Sequence, residues 1–294
     1  MRGEEVLSLL RAQNGDYVSG ERMSEVLGVS RSAVWKIIKG LREQGYDIHS
    51  VTNKGYTLVD HPNLLEKERL ERMVAGGEIG SVLHCLDSID STNTQAKRLA
   101  TEGAPHGTVV LAEEQTGGRG RFGRGFLSPK GTGIYVSALL RPDATPTEMS
   151  DFTAWVAVAV WRAIKDCCDA PVQIKWTNDL VLGGKKICGI LTELGLESES
   201  NRLDYMIVGV GVNACQNGFP EDLAEIATSI VMETGEEVDR TELAGGILAS
   251  FEQLLGDFPQ EKEKYLALYR QNCITIGKPV QVFTPATRRE GTAI

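Results

Sequence analysis

Between Ser30 and Leu41 the apolar residues Ala33, Val34, Ile37, Ile38 and Leu41 recur at helical spacing, while Ser30, Arg31, Ser32, Trp35, Lys36 and Lys39 fall on the other face. Ser30 can accept a bond from a free amide of the first turn. Two shorter helical patterns precede it: Glu4 to Gln13, with Val6, Leu9 and Leu10 inward, and Gly20 to Leu27, with Met23, Val26 and Leu27 inward. Gly28 and Val29 form the tight turn before the third. This is the spacing of a helix-turn-helix with the third helix as reader. After Gly45 the pattern changes to alternation, through Tyr46, Ile48, Val51, Tyr56 and Leu58, around an Asn53-Lys54-Gly55 turn that suits positive φ. That hairpin reads as a wing, and Pro62-Asn63 with Leu64, Leu65, Leu70 and Met73 as a junction followed by an amphipathic helix.

Charge sharpens the reading. The 294-residue chain carries a formal charge of -9, which argues against a surface that coats nucleic acid throughout. Residues 1–60 hold eight residues of each sign, so the remainder carries the whole excess of acid. From Ser30 to Lys54 the basic residues Arg31, Lys36, Lys39, Arg42 and Lys54 face only Glu43 and Asp47. A local basic face sits on an acidic body, and Ser30, Arg31, Ser32, Lys36, Lys39 and Lys54 are the candidate DNA contacts.

The run from Phe152 to Ala163 is too short for a membrane span, which needs about 20 apolar residues. The first residues lack the basic start and apolar core of a signal peptide, so a cytoplasmic protein is expected, with no membrane partner. Six cysteines include no CxxC pair, so reduced thiols are expected rather than a metal site.

Beyond Ser81, strands are read at Val109 to Glu113, Gly133 to Leu140, Val172 to Trp176, Ile187 to Leu194 and Tyr205 to Val212. Helices are read at Thr92 to Thr101, Met149 to Cys168, Thr241 to Leu255 and Glu261 to Gln271. Strands that arrive as neighbours, with helices before and after, favour an α+β fold with a mixed central sheet.

The segment Gln115-Thr116-Gly117-Gly118-Arg119-Gly120-Arg121-Phe122-Gly123-Arg124 is the most informative. Its glycines allow close backbone approach and turn amides toward a ligand, and its arginines are forked donors for carboxylate and phosphate. It lacks the Lys-Ser/Thr ending of a P-loop. Asp90-Ser91-Thr92-Asn93 opens a helix where free amides gather. Lys175-Trp176-Thr177-Asn178-Asp179 follows a strand, Gly183-Gly184-Lys185-Lys186-Ile187-Cys188-Gly189-Ile190 makes a glycine turn into the next, and Gly209-Val210-Gly211-Val212-Asn213 ends another. Taken singly, the last three also read as ordinary features, a capped helix, a hairpin and a strand whose glycines relieve crowding, and a ligand-sensing protein without catalysis stays open.

In this order the segments resemble the biotin protein ligase family, in the subgroup whose N-terminal winged helix represses biotin biosynthesis. The resemblance implies three domains: a winged helix at 1–62, a catalytic domain at 63–272, and an incomplete C-terminal β domain of SH3-like type at 273–294. It implies an enzyme that uses biotin, ATP and Mg²⁺ to make biotinyl-5'-AMP, and transfers biotin to a lysine of the biotin carboxyl carrier domain of a carboxylase such as acetyl-CoA carboxylase. The adenylate would also be the corepressor, promoting homodimerisation on operator DNA. Biotin would be held by Ser91, Thr92, Asn93, Gln115, Gly118, Arg119, Gly120, Arg121, Lys186, Gly189 and Gly209. The nucleotide would be held by Arg119, Arg121, Arg124, Lys175, Asn178 and Asn213. Lys186, Arg121 and Asp179 are the expected catalytic residues, with Gly189 and Gly209 leaving room for the ligand and Arg119 to Arg124 forming a lid. Thr177 departs from the proline usual in the family, giving that turn an extra donor. The strands begun at Gly277-Lys278-Pro279-Val280-Gln281-Val282 stop at Ile294, short of that small domain's full set, which would affect ATP and acceptor binding more than biotin binding.

Overall fold

A computed structural model describes all residues except 1, 12–15, 44–45, 53, 61–62, 198–201 and 284–286. The expected end of the first helix at Gln13, the turn residues Gly45 and Asn53, and Pro62 lie outside the described residues. The chain divides into two compact units, Met1–Asn63 and Leu64–Ile294.

The first unit contains α1 (Arg2–Arg11), α2 (Gly20–Leu27), α3 (Arg31–Glu43) and the antiparallel pair β1 (Asp47–Val51) and β2 (Gly55–Asp60). Ser19 caps α2, and Gly28 ends it in the left-handed conformation at φ 62°, so the chain turns sharply into α3. Val6, Leu7, Leu10, Met23, Val34, Ile38, Leu41, Tyr46, Ile48 and Leu58 form one core. Leu7 is buried where Leu9 was expected, and Val26 and Val51 are 48% and 40% exposed. A helix of eight residues buries one narrow stripe, here set by Met23, and Val51 ends its strand at the turn.

The second unit runs α4 (Lys67–Met73), β3 (Val82–Leu86), α5 (Thr92–Thr101), β4 (Thr108–Ala112), β5 (Gly133–Leu140), α6 (Phe152–Cys168), β6 (Gln173–Lys175), β7 (Asp179–Leu182), β8 (Lys185–Leu196), β9 (Leu203–Asn213), α7 (Glu221–Ala224), α8 (Ile230–Thr234), α9 (Arg240–Asp257) and α10 (Lys262–Asn272). Seven strands form one mixed sheet in the order β3-β4-β5-β9-β8-β7-β6, with β3 parallel to β4 and the other pairs antiparallel. Helices α6, α9 and α10 cover one face: Trp155 stacks on Tyr265 with ring centres 4.2 Å apart, and both belong to the core with Ile134, Val136, Ala138 and Val208. On the other face α5 packs Ala96 and Ala100 against Val110, Leu139 and Ile207. Alternate residues of β5 and β9 therefore serve opposite cores.

Several elements differ from the sequence reading. β3 gives no clean alternation because its edge position leaves its residues half-exposed. β7 has four residues, too few for a period to show. Helix α6 begins at Phe152, after a bonded turn that includes Met149. The expected C-terminal strands are present as an antiparallel pair, β10 (Pro279–Phe283) with β11 (Arg288–Thr292), and two strands by themselves do not establish an SH3-like type.

Candidate functional site

The site grows on the α5 face of the sheet. Ser91 caps α5, and Ser91, Thr92 and Asn93 are all buried. Buried hydroxyl and amide groups must find partners. The Thr92 hydroxyl donates to Gln115 Oε1 at 3.0 Å, the Thr92 amide donates to the same oxygen at 2.9 Å, and Gln115 Nε2 donates to Ser128 Oγ at 2.9 Å. Ser137 Oγ lies 2.8 Å from Thr92 Oγ1 and 2.6 Å from Asn93 Oδ1, and Asn93 Nδ2 donates to Glu193 Oε2 at 2.8 Å. Lys97 closes the network with an ion pair to Glu193 at 2.5 Å. Burial pushes the Glu193 carboxyl up, but the Lys97 ammonium and the Asn93 amide outweigh it and hold it below the usual carboxylate range.

The glycine-arginine segment folds back on itself. The Gln115 amide donates to Ser128 O, the Phe126 amide to Gly118 O at 2.9 Å and the Gly120 amide to Arg124 O at 2.7 Å, making a narrow hairpin with a 3₁₀ turn at Arg121–Gly123. At Gly118 a side chain would overlap Phe126 O, so the glycine is required by this fold-back. Phe122, at φ 57° and 87% exposed, sits at the tip, with the Arg121 guanidinium 5.1 Å from its ring. Arg119 donates to Thr94 Oγ1, above the start of α5. Arg121 donates to Thr177 Oγ1 and, at 3.2 Å, to Asn178 Oδ1, spanning to the turn between β6 and β7. The hydroxyl that distinguishes Thr177 from proline is thus an acceptor for the central arginine. Arg124 is exposed beside the tip of the hairpin.

Lys186 enters β8 beside the bulge in its pairing with β7, and its Nζ lies 2.7 Å from Asp179 Oδ1 and 6.0 Å from the Phe126 ring centre. Phe126 lies over two glycines: side chains on Gly189 or Gly211 would meet its ring. Asn178 Nδ2 donates to Ile190 O at 2.7 Å and ties the turn to β8. Lys175 is exposed at the end of β6.

Two expected ligand contacts have other occupations. Gly209 is paired with Ser137 across β5 and β9, and a Cβ on it would overlap Asn93 Oδ1; the room it leaves is filled by Asn93. Asn213 is 4% exposed and donates to Thr228 O at 3.0 Å, an internal tie between β9 and the segment before α8. In the first unit Ser30, Arg31, Ser32, Lys36, Lys39 and Lys54 are all exposed; Arg31 pairs with Glu21 at 3.3 Å, Lys39 with Glu43 at 3.8 Å, and Ser30 Oγ accepts from the Ala33 amide at 3.2 Å.

The sequence reading passed over Thr94, Phe126, Ser128, Ser137 and Glu193. A signal existed for two: Ser137 and Glu193 are polar residues inside apolar strands, where burial demands a partner.

Residues 85–213 match the biotin/lipoate A/B protein ligase family, and residues 2–57 match an HTH domain. The bifunctional ligase/repressor BirA of Bacillus subtilis is 37% identical over 257 residues, covering 87% of this chain and 78% of that protein. Its Escherichia coli counterpart is 30% identical over 270 residues, covering 92% and 82%. A solved biotin protein ligase from Aquifex aeolicus, in complex with biotin and ATP, superposes with a TM-score of 0.61 at 30% identity, over 72% of this chain and 86% of that one. With a helix-turn-helix at its head, the ligase sheet in its body and these relatives, the chain belongs to the biotin protein ligase family, among the bifunctional ligase/repressors.

Proposed function

We propose that this chain activates biotin with ATP as biotinyl-5'-AMP, passes the biotinyl group to a lysine of a biotin carboxyl carrier domain, and represses biotin synthesis genes through its N-terminal unit. The observation that carries this reading is the hairpin of Arg119 and Arg121, whose guanidiniums reach the start of α5 and the β6–β7 turn, the turn that leads into Asp179 and its partner Lys186.

In the first step a carboxylate oxygen of biotin attacks the α-phosphorus of ATP, an O–P bond forms, and the bond to pyrophosphate breaks. Two anions must meet, and charge builds on the phosphoryl oxygens. Fixed cations lower that barrier when they gain more from the transition state than from the separate substrates. Arg119, Arg121 and Lys186 take this role, with Arg124 and Lys175 toward the nucleotide. Asp179 holds Lys186 in place through their ion pair. Ser91, Thr92, Asn93 and Gln115 bind the polar end of biotin, and Gly118, Gly120 and Gly189 let backbone approach it. Mg²⁺ would neutralise charge on the departing pyrophosphate, held by the nucleotide's own phosphates with Asp179 as a protein carboxylate; among the described residues no cluster of three His, Cys, Asp or Glu is placed to bind it alone.

In the second step the acceptor amine attacks the anhydride carbonyl and AMP leaves. The anhydride is open to water, so a closed hairpin prolongs its life. The boundaries 1–62, 63–272 and 273–294 remain our division of labour among DNA, ligand and C-terminal segments. Dimerisation on operator DNA, with the adenylate as corepressor, fits an open sheet edge: among the described residues, β8 beyond Ile190 has β9 on one side and no strand on the other, with Leu194 44% and Leu196 58% exposed. No helix of the described residues is long and apolar enough to cross a membrane, and cytoplasmic placement is part of the proposal.

The test is to mix the protein with biotin and MgATP, then assay biotinyl-5'-AMP, with lipoate as the competing acid. Adenylate from biotin supports the reading. Adenylate from lipoate alone, or none from either, overturns it.

A further inference from the structure

Helix α3 leaves its largest apolar side chain in water. Trp35 is 54% exposed, while Val34, Ile38 and Leu41 take the buried stripe. Ser32, Trp35, Lys36 and Lys39 follow the i, i+3, i+4, i+7 spacing of one helix face, with Arg31 in the first turn beside them. The Lys39 ammonium lies 5.9 Å from the Trp35 ring centre, within cation–π range. A single exposed apolar residue needs no explanation by itself. An exposed indole beside a lysine at the fifth residue of a reading helix does, because the early turns of such a helix are the part that meets base edges.

We propose that Trp35 is a specificity-determining residue for DNA: its indole enters the major groove and covers the C5-methyl group of a thymine, while Arg31, Lys36 and Lys39 meet the flanking phosphates and bases. The inference rests on the DNA-binding reading of the first unit and deepens it. The occupant is duplex DNA because Arg31, Lys36 and Lys39 stand exposed on the same turns of the helix as the indole, with Glu21 and Glu43 as the acidic partners of Arg31 and Lys39. The thymine methyl is the apolar feature of the major groove, and cytosine lacks it, so an apolar contact there separates T·A from C·G pairs. Phosphate contacts by lysine cannot make that distinction.

The experiment uses the full chain. A duplex is selected by the parent protein from a random-sequence pool, and a scrambled duplex of the same length serves as the non-specific probe. Trp35→Ala should weaken binding to the selected duplex on the order of tenfold, the scale of one mismatched base pair, and leave the scrambled duplex and the salt slope unchanged. Lys36→Ala should weaken both duplexes and lower the salt slope by about one unit. Replacing thymines by uracil one at a time should reveal a position that weakens the parent severalfold and leaves Trp35→Ala unaffected. Adenylate formation and thermal unfolding check that the variant is folded. If Trp35→Ala unfolds, Trp35→Phe and the uracil series on the parent decide: a uracil-sensitive thymine at which Trp35→Phe differs from the parent supports the assignment. Equal loss on both duplexes, no loss on either, or a parent indifferent to every uracil overturns it. A pool from which the parent enriches no sequence would instead overturn the DNA-binding reading on which it stands.

Discussion

Lys186 and Asp179 form an ion pair of 2.7 Å between the second residue of β8 and the first of β7, beside the bulge at Leu180/Val181. The bulge re-aims a side chain that a regular ladder would send elsewhere. Before substrates arrive the carboxylate neutralises Lys186, and phosphate must compete for it. Lys186→Ala is therefore expected to lower the rate of adenylate formation at least tenfold while changing the biotin Kd much less. Single-turnover kinetics beside equilibrium biotin binding measure the two; equal losses would assign Lys186 to ground-state binding.

Arg121 is exposed and spans to Thr177 and Asn178, so its loss should leave the fold intact. A charge-assisted bond to the adenylate phosphate is worth about 1.5–3 kcal/mol, so Arg121→Ala should release adenylate roughly 10- to 150-fold faster, with Arg119→Ala weaker in effect. Dissociation of labelled adenylate at the parent rate would remove the anion role from this hairpin. Thr177→Val, which deletes the hydroxyl that accepts from Arg121 and donates to Asn178 Oδ1, should not accelerate release.

A Cβ at Gly209 would overlap Asn93 Oδ1, and Asn93 is bonded to Ser137 and Glu193. Overpacking of this kind costs about 1–3 kcal/mol, so Gly209→Ala should lower the urea midpoint. Because the clash is with one side chain, Asn93→Ala should recover part of that loss in the double variant, a coupling that unfolding of the four proteins would read out. Strictly additive effects would show that the two residues do not share the space.

Arg240 is fully buried and donates to Glu113 Oε2 at 2.8 Å and to Gly133 O at 2.8 Å, while Glu113 Oε1 accepts from the Leu65 amide at 2.5 Å. Removing one member of a buried pair strands the other charge. Arg240→Met should destabilise the second unit by about 3–5 kcal/mol, and adding Glu113→Gln should restore part of it. Thermal unfolding followed with and without biotin tests this.

Stability should also depend on acid through Glu193. Its folded pKa is depressed, so its contribution is present above the unfolded carboxylate value, about 4.3, and is lost as pH falls through the lower folded value. Glu193→Gln should flatten that part of the stability curve as pH falls below the ordinary carboxylate range. A variant with the parent's acid slope would show that other carboxylates, such as Asp239, carry it.

What the chain reveals by itself is periodic or local. The stripe of α3, the left-handed Gly28 after α2, and the apolar runs of β5 and β9 depend on neighbours within a few residues, and so were legible as helix, turn and strand. What the tertiary structure decided is which polar group answers which. Ser137 lies 45 and 44 residues from Thr92 and Asn93, and Glu193 a further 56 residues on, yet the β5–β9–β8 register sets them around one buried amide. That register set Gly209 against Asn93, tied Asn213 to Thr228, and brought Phe126 over Gly189 and Gly211. Periodicity reports which side of an element is buried; it carries no information about the partner strand or its offset, and a buried polar site is made by that offset.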